Sequence, residues 1–254
     1  MATSELCDIT GFVLREFAYK ESSKLVEVFT RELGKISILA KGVLKKNAKN
    51  LSLTVRFMKV NLSLYKAGEF YGIKEGHLVE TYKKSGKNFD IILYKSAMCD
   101  FLLRTLDQEQ IQTVYTLLDR SFYAFDESDG NYINIFLGFL IKYISFSGLK
   151  PNFSTCGICG KIIGRRDGYF SVGQASMLCE DDLPRVFDKV YLAKNELFYF
   201  MKLLYTKSED LSTINPPETY EKVARLIIQY CLKSLDLRSF PSMDWILNKL
   251  SERN

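Results

Sequence analysis

The stretch that decides how this chain is read begins Cys156-Gly157-Ile158-Cys159-Gly160, passes through a polar, glycine-bearing excursion, and closes with Cys179-Glu180-Asp181-Asp182. Two thiolates three positions apart can grip one tetrahedral metal from a tight turn. Gly157 and Gly160 let that turn fold back so that its amides face the sulfurs. Cys179 offers a third ligand, and three residues on, where a four-cysteine site would place its last thiolate, stands Asp182. Zinc accepts carboxylate oxygen, so Cys156, Cys159, Cys179 and Asp182 are read as a structural zinc site, with Asp181 the other candidate for the fourth ligand. Without metal, the same residues would be a reduced thiol turn or a redox pair. Neither reading implies catalysis.

Around this knot lies a chain of 254 residues, 47% hydrophobic and 26% charged, enough for one large domain or two ordinary ones with a core that needs no disulfides. Cys7, Cys99 and Cys231 sit singly in apolar segments and read as buried thiols of a reducing compartment. The first residues carry Glu5, Asp8 and Glu16 and lack the apolar core of a signal peptide. The longest apolar run, Tyr132 to Phe146, is broken by Lys142 and is too short to span a bilayer. A cytoplasmic location with no membrane partner is expected.

Upstream of the knot the pattern is one of short strands. Ile9 to Leu14, Leu25 to Thr30, Ile36 to Ala40, Val55 to Tyr65 and Leu78 to Tyr82 are rich in Val, Ile, Phe and Tyr and alternate with polar residues. In the longest, Val55 and Phe57 share one parity while Val60, Leu62 and Leu64 take the other. That slip at Met58 and Lys59 predicts a bulge that bends a strand around a small barrel. An OB-like barrel fits, and an SH3-like one would read much the same. From Lys87 the period becomes helical, first in Ile91 to Leu102 and then in Ile111 to Phe125. A third helix, Asn131 to Phe146, opens on a candidate Asn131 cap and is apolar nearly all round, so it is expected at the centre of a bundle. Beyond the knot, Leu197 to Leu204 marks a helix. Asn215-Pro216-Pro217-Glu218 reads as a capping box leading the next, and a short segment around Trp245 ends the chain. The expected class is α+β and multidomain: an OB-like barrel over residues 1–84, then a helical domain over residues 85–254 with a zinc-binding insertion at about 153–184.

Charge is unevenly divided. Residues 1–87 hold 16 Lys or Arg against 9 Asp or Glu, and the remainder holds 19 against 21. From Arg31 to Lys59 the bases are Arg31, Lys35, Lys41, Lys45, Lys46, Lys49, Arg56 and Lys59, with Glu32 the only acid. Such a run on a barrel can track a sugar-phosphate backbone, and these eight are the candidate DNA-binding residues. A solubilising lysine surface, or a protein-protein adaptor whose barrel meets an acidic partner, would use the same charges. Among nearby aromatics, Tyr19 and Tyr65 are candidates for stacking on bases. Enzyme readings fail: His77 is the single histidine, the deaminase signature is missing on both halves, and there is no Gly-x-x-x-x-Gly-Lys loop.

Several stretches together resemble the bacterial RecO family of DNA repair and recombination mediators. Gly11-Phe12-Val13-Leu14, the run Tyr19-Lys20-Glu21-Ser22-Ser23-Lys24-Leu25-Val26-Glu27-Val28-Phe29-Thr30, and Gly34-Lys35 through Ala40-Lys41-Gly42 look like that family's barrel. Cys156, Cys159, Gly160 and Cys179 are similar to its zinc module, and Leu232-Lys233-Ser234 to its C-terminal signature. The resemblance implies an N-terminal OB fold, a helical domain and a zinc-binding insertion. It further implies binding of single- and double-stranded DNA, strand annealing, and action with RecR to help RecA replace the single-stranded-DNA-binding protein, whose acidic, apolar tail is a partner. A bacterial, nucleoid-associated location goes with that role. Two departures stand out: Asp182 takes the place of a fourth cysteine, and the loop after Gly42 is rich in lysine rather than arginine.

Overall fold

Alternating side chains in the front third turn one residue of every two inward, and the strands close on the core those residues make. In the computed structural model, which describes residues 6–164 and 166–252, five strands form a closed barrel. They are β1 (Leu6–Tyr19), β2 (Ser23–Thr30), β3 (Gly34–Ala40), β4 (Lys59–Ala67) and β5 (Phe70–Glu80), in the order β1-β2-β3-β5-β4. Neighbours are antiparallel except β3 and β5, which close the barrel in parallel at Ile38 and Tyr71. Ile9, Val13, Val26, Val28, Ile38, Val60, Leu62 and Leu64 fill the interior and are buried. The OB-like architecture is therefore present.

Two details of the strands differ from expectation. The parity slip before Val60 coincides with a register shift between Lys59 and Val60 in the β4–β5 pair, with a second between Ser63 and Leu64, but it lies at the start of a strand rather than inside a longer one. The chain enters β4 only at Lys59, after Phe57 turns through φ +73°; Phe57 N donates to Val13 O at 2.9 Å and Met58 O accepts from Val13 N at 3.0 Å. β1 carries a further register shift between Val13 and Arg15. The fifth strand also starts earlier than its apolar pattern shows, at Phe70. It contains Gly72, where a Cβ would lie 2.2 Å from the Tyr65 ring, so only glycine admits that aromatic across the strand pair.

Packing divides the chain into two units, one ending at Thr116 and one beginning at Leu117. Within the first, helix α1 (Phe89–Thr105) is capped by Asn88 Oδ1, which accepts from Asp90 N at 2.9 Å and Ile91 N at 3.3 Å. Its Asp100 binds Arg15 and Arg56 of the barrel at 3.1 and 2.9 Å. Helix α2 (Ile111–Glu127) runs across the division.

The second unit is built on α3 (Tyr132–Phe146), whose residues Ile135 to Ile141 are all buried, as an apolar surface on every side requires. Against it pack α4 (Lys194–Tyr205) and α5 (Tyr220–Ser234), and α6 (Pro241–Ser251) packs on α5. Buried Asn134 is satisfied by donating to Leu211 O and Ile214 O and accepting from Tyr199 Oη at 2.6 Å. Inserted between α3 and α4 is a small sheet of β6 (Asn152–Cys156), β7 (Gly168–Ser171), β8 (Ser176–Leu178) and β9 (Lys189–Leu192), ordered β6-β8-β7-β9.

Capping chemistry moves relative to the sequence reading. Asn131 holds the N-cap position, but its side chain caps nothing and its amide donates to Ser212 O and Ile214 O instead. Asn215 to Glu218 precede a helix that starts only at Tyr220, because two prolines hold the chain in a turn. The reciprocal carboxylate is Glu196, which accepts from Ala193 N, Thr219 Oγ1 and Lys222 Nζ at 2.8, 2.7 and 2.6 Å. Burial pushes the Glu196 carboxyl up, but these donors, led by Lys222, outweigh it and hold it below the ordinary glutamate value of 4.5. A depressed carboxylate stabilises above its unfolded value and loses that contribution as pH falls through the folded one. Glu196→Gln is therefore expected to cost about 1–2 kcal/mol near neutrality and much less near about pH 3, measured by urea unfolding across that range.

Candidate metal centre and nucleic-acid interface

The metal-type cluster is assembled by the small sheet. Cys156 ends β6, and β8, parallel to β6, delivers Cys179. Asp182 follows within the short helix Glu180–Arg185, its amide donating to Cys179 O. At the turn, Gly160 takes φ +74°, a conformation that favours glycine, and donates to Cys156 O at 3.0 Å. The ligand atoms of Cys156, Cys159, Cys179 and Asp182 lie within 4.8 Å of one another.

The cluster fits a tetrahedral ion. Metal–sulfur bonds of about 2.3 Å and a metal–oxygen bond of about 2.0 Å place sulfurs about 3.8 Å apart and sulfur about 3.5 Å from oxygen. The structure has Cys159 Sγ and Cys179 Sγ 3.7 Å apart, and Asp182 Oδ2 at 3.3 Å from Cys156 Sγ and 3.2 Å from Cys179 Sγ. Asp181, the other candidate, is turned outward to Lys161 at 3.3 Å. Hydrogen bonds from the Cys159, Cys179 and Cys156 thiols hold the Asp182 carboxyl low, while Asp182 in turn pushes the Cys159 thiol up to about 12. At Cys156, burial pushes the thiol up but is outweighed by the amides of Cys159, Cys179 and Ile158, which lower it. A cation held by these four groups would have no open position, which is the coordination of a structural site.

The sheet is fastened to the helices of its own unit. Phe153 and Phe170 pack edge-to-face on Phe200 of α4 with centroids 5.0 and 5.7 Å away, and Phe170 on Tyr230 of α5 at 5.9 Å. Asp188 accepts from Ser171 Oγ, Gly173 N and Lys233 Nζ, each at 2.7 Å. Lys233 belongs to the Leu232-Lys233-Ser234 segment noted in the sequence, and its contact gives that segment a physical role.

The eight basic candidates fall into two groups. Lys41, Lys45, Lys46 and Lys49 are exposed on the loop after β3. That loop is stitched to the β1–β2 turn by Leu44 N donating to Ser22 O at 3.0 Å and Gly42 N to Ser23 Oγ at 3.4 Å. Between them opens a groove of about 420 Å³ lined by Tyr19, Lys20, Ser22, Ser23, Lys41 and Lys45. Arg31 and Lys35 sit at the far end of β2, about 25 Å away along eight residues of strand. There they donate to Gln112 Oε1 and Leu103 O, each at 3.1 Å. Lys59 lies over the rings of Phe12 and Tyr115, and Arg56 donates to Leu14 O, Ser96 O and Asp100. Of the two aromatic candidates, Tyr19 borders the groove and Tyr65 lies on Gly72. Sequence reading passed over Lys20 and Phe17. Phe17 is 47% exposed on β1, with Arg15 stacked 5.7 Å from its ring, a position that parity with Tyr19 would have signalled.

Arg56 thus ties the loop before β4 to the barrel and α1. Arg56→Ala is expected to lower the unfolding free energy by about 1–2 kcal/mol, because a half-buried carboxylate and two carbonyls lose a donor. Denaturant titration measures this.

A closed five-stranded barrel of the OB kind, joined to a helical domain that carries a three-cysteine, one-aspartate cluster, defines a two-domain class of barrel protein with a metal-type insertion. Residues 3–82 match the family described as Recombination protein O N terminal, and residues 87–244 the one described as Recombination protein O C terminal. The chain belongs to the Recombination protein O family. It is 26% identical to a DNA repair protein RecO of Caldanaerobacter subterraneus subsp. tengcongensis, over 95% of this chain and 97% of the relative. It is 27% identical to one of Clostridium novyi over 88% and 87% of the two chains, and 24% identical to one of Listeria monocytogenes over 89% and 88%. Among the described residues, no helix is long and apolar enough to cross a membrane.

Proposed function

We propose that this chain is a DNA-binding mediator of repair and recombination. In this reading its barrel binds single and double strands, promotes annealing, and works with RecR to help RecA replace the single-stranded-DNA-binding protein, whose tail it also engages. The observation that supports it is the groove where Tyr19, Lys20, Lys41 and Lys45 converge beside Lys46 and Lys49. Positive side chains there would neutralise phosphates of two strands and lower their repulsion, so that bases pair without chemistry on the DNA. The protein is accordingly read as a binder rather than an enzyme, acting in the bacterial cytoplasm at the nucleoid. The cluster is read as structural zinc, which fixes the small sheet, and metal analysis of purified protein is expected to give about one zinc per chain.

The test is a titration of labelled single-stranded DNA at two salt concentrations. Steep weakening with salt and little dependence on sequence are expected. No binding at the lower salt would leave the adaptor reading, in which the groove meets an acidic protein.

A further inference from the structure

The two carboxylate oxygens of Asp182 have different neighbours. Oδ2 faces the sulfurs of Cys156 and Cys179 at 3.3 and 3.2 Å. Oδ1 lies 3.1 Å from Arg185 Nη1, one helical turn on. The Asp182 side chain is 5% exposed and that of Arg185 72%, so the guanidinium reaches inward from the surface to a buried acid.

We infer that Arg185 is a positioning residue of the metal centre, and that it is what allows an aspartate to stand in for a fourth cysteine. A thiolate binds through one atom, whereas a carboxylate can chelate through two and convert a four-coordinate site into a five-coordinate one. With Oδ1 engaged by Arg185, only Oδ2 is presented to the ion. Charge points the same way. Three thiolates and a carboxylate around a divalent cation leave a double negative charge; among the described residues Arg185 is the cation in direct contact with a ligand group, while Lys161, paired with Asp181, feels Cys179 and Cys159 only through space. An exposed ion pair alone contributes little, but partners that orient a ligand commonly change metal affinity 10–100-fold.

This inference rests on the metal reading, and the experiment separates the two. Full-length protein is titrated with Co²⁺, following visible absorption, and the bound metal is competed with a chelator. In the unmodified protein, intense d–d bands of a tetrahedral centre are expected. Arg185→Ala should weaken binding about 10-fold and reduce band intensity as the second oxygen enters, with Arg185→Lys restoring part of both. In Asp182→Cys and Asp182→Asn backgrounds, where no second carboxylate oxygen remains, adding Arg185→Ala should leave the spectrum unchanged and weaken binding less than in the unmodified protein, because only its charge is lost. Equal affinity and spectrum in Arg185→Ala and the unmodified protein would overturn the inference alone. So would an equal loss in all backgrounds, which would mean that Arg185 acts through the fold. Absence of thiolate-to-cobalt absorption in the unmodified protein would overturn the metal reading and this inference with it.

Discussion

With Lys41, Lys45, Lys46 and Lys49 all replaced by alanine, binding of single-stranded DNA is expected to become far less sensitive to salt. Each phosphate contact on a single strand contributes about 0.7 to the slope of log affinity against log salt, so the four together account for up to about 2.8. At about 0.1 M salt the same contacts correspond to two to three orders of magnitude in affinity. The four side chains are exposed, so the barrel should keep its stability, each change staying within about 0.5 kcal/mol. Anisotropy titrations at several salt concentrations, with a thermal melt alongside, measure both quantities. An unchanged slope in a folded variant would exclude the loop from the interface. Arg56→Ala serves as the contrast, with lower stability and a smaller effect on slope.

The second large effect concerns the metal centre. Cys156→Ala removes a buried ligand from the end of β6, and bound metal is expected to fall from about one per chain to none. Structural zinc sites in small peptides carry apparent binding energies of about 10–16 kcal/mol. Here aromatic packing on Phe200 and Tyr230 retains part of the sheet, so a smaller loss of about 3 kcal/mol is expected, with a fall in melting midpoint of about 6–12 °C. Limited proteolysis should open new cleavage between residues 157 and 182. Retention of metal, or an unchanged midpoint, would show that the cluster does not hold the sheet.

Much of the architecture was legible in the residues. Alternating apolar positions in the front third named the barrel interior, and the all-round apolar surface of Tyr132 to Phe146 placed that helix at the centre of its unit. The spacing of Cys156, Cys159 and Cys179 indicated the cluster, and counting three residues onward indicated Asp182. What escaped has physical reasons. Gly72 and Gly76 look like turn punctuation, yet they lie inside β5, where neighbouring side chains leave no space for a Cβ. The small sheet hides because β8 has three residues and β7 and β9 four each, too few for a period to register. Counting bases cannot tell an outward lysine such as Lys45 from Arg56, whose partners are main-chain oxygens of Leu14 and Ser96 remote in sequence.

Lys233 and Tyr230, which anchor the small sheet, lie on the penultimate helix of the chain, while all the cluster's ligands precede residue 183. During synthesis the thiols and the carboxylate emerge from the ribosome well before the surface they will rest on. An ion captured at that stage would hold the small sheet together through the interval, keeping Phe153 and Phe170 from promiscuous contacts until α4 and then α5 arrive to cover them. On the metal reading proposed above, the order of residues along the chain would thus make early capture a safeguard for the nascent protein.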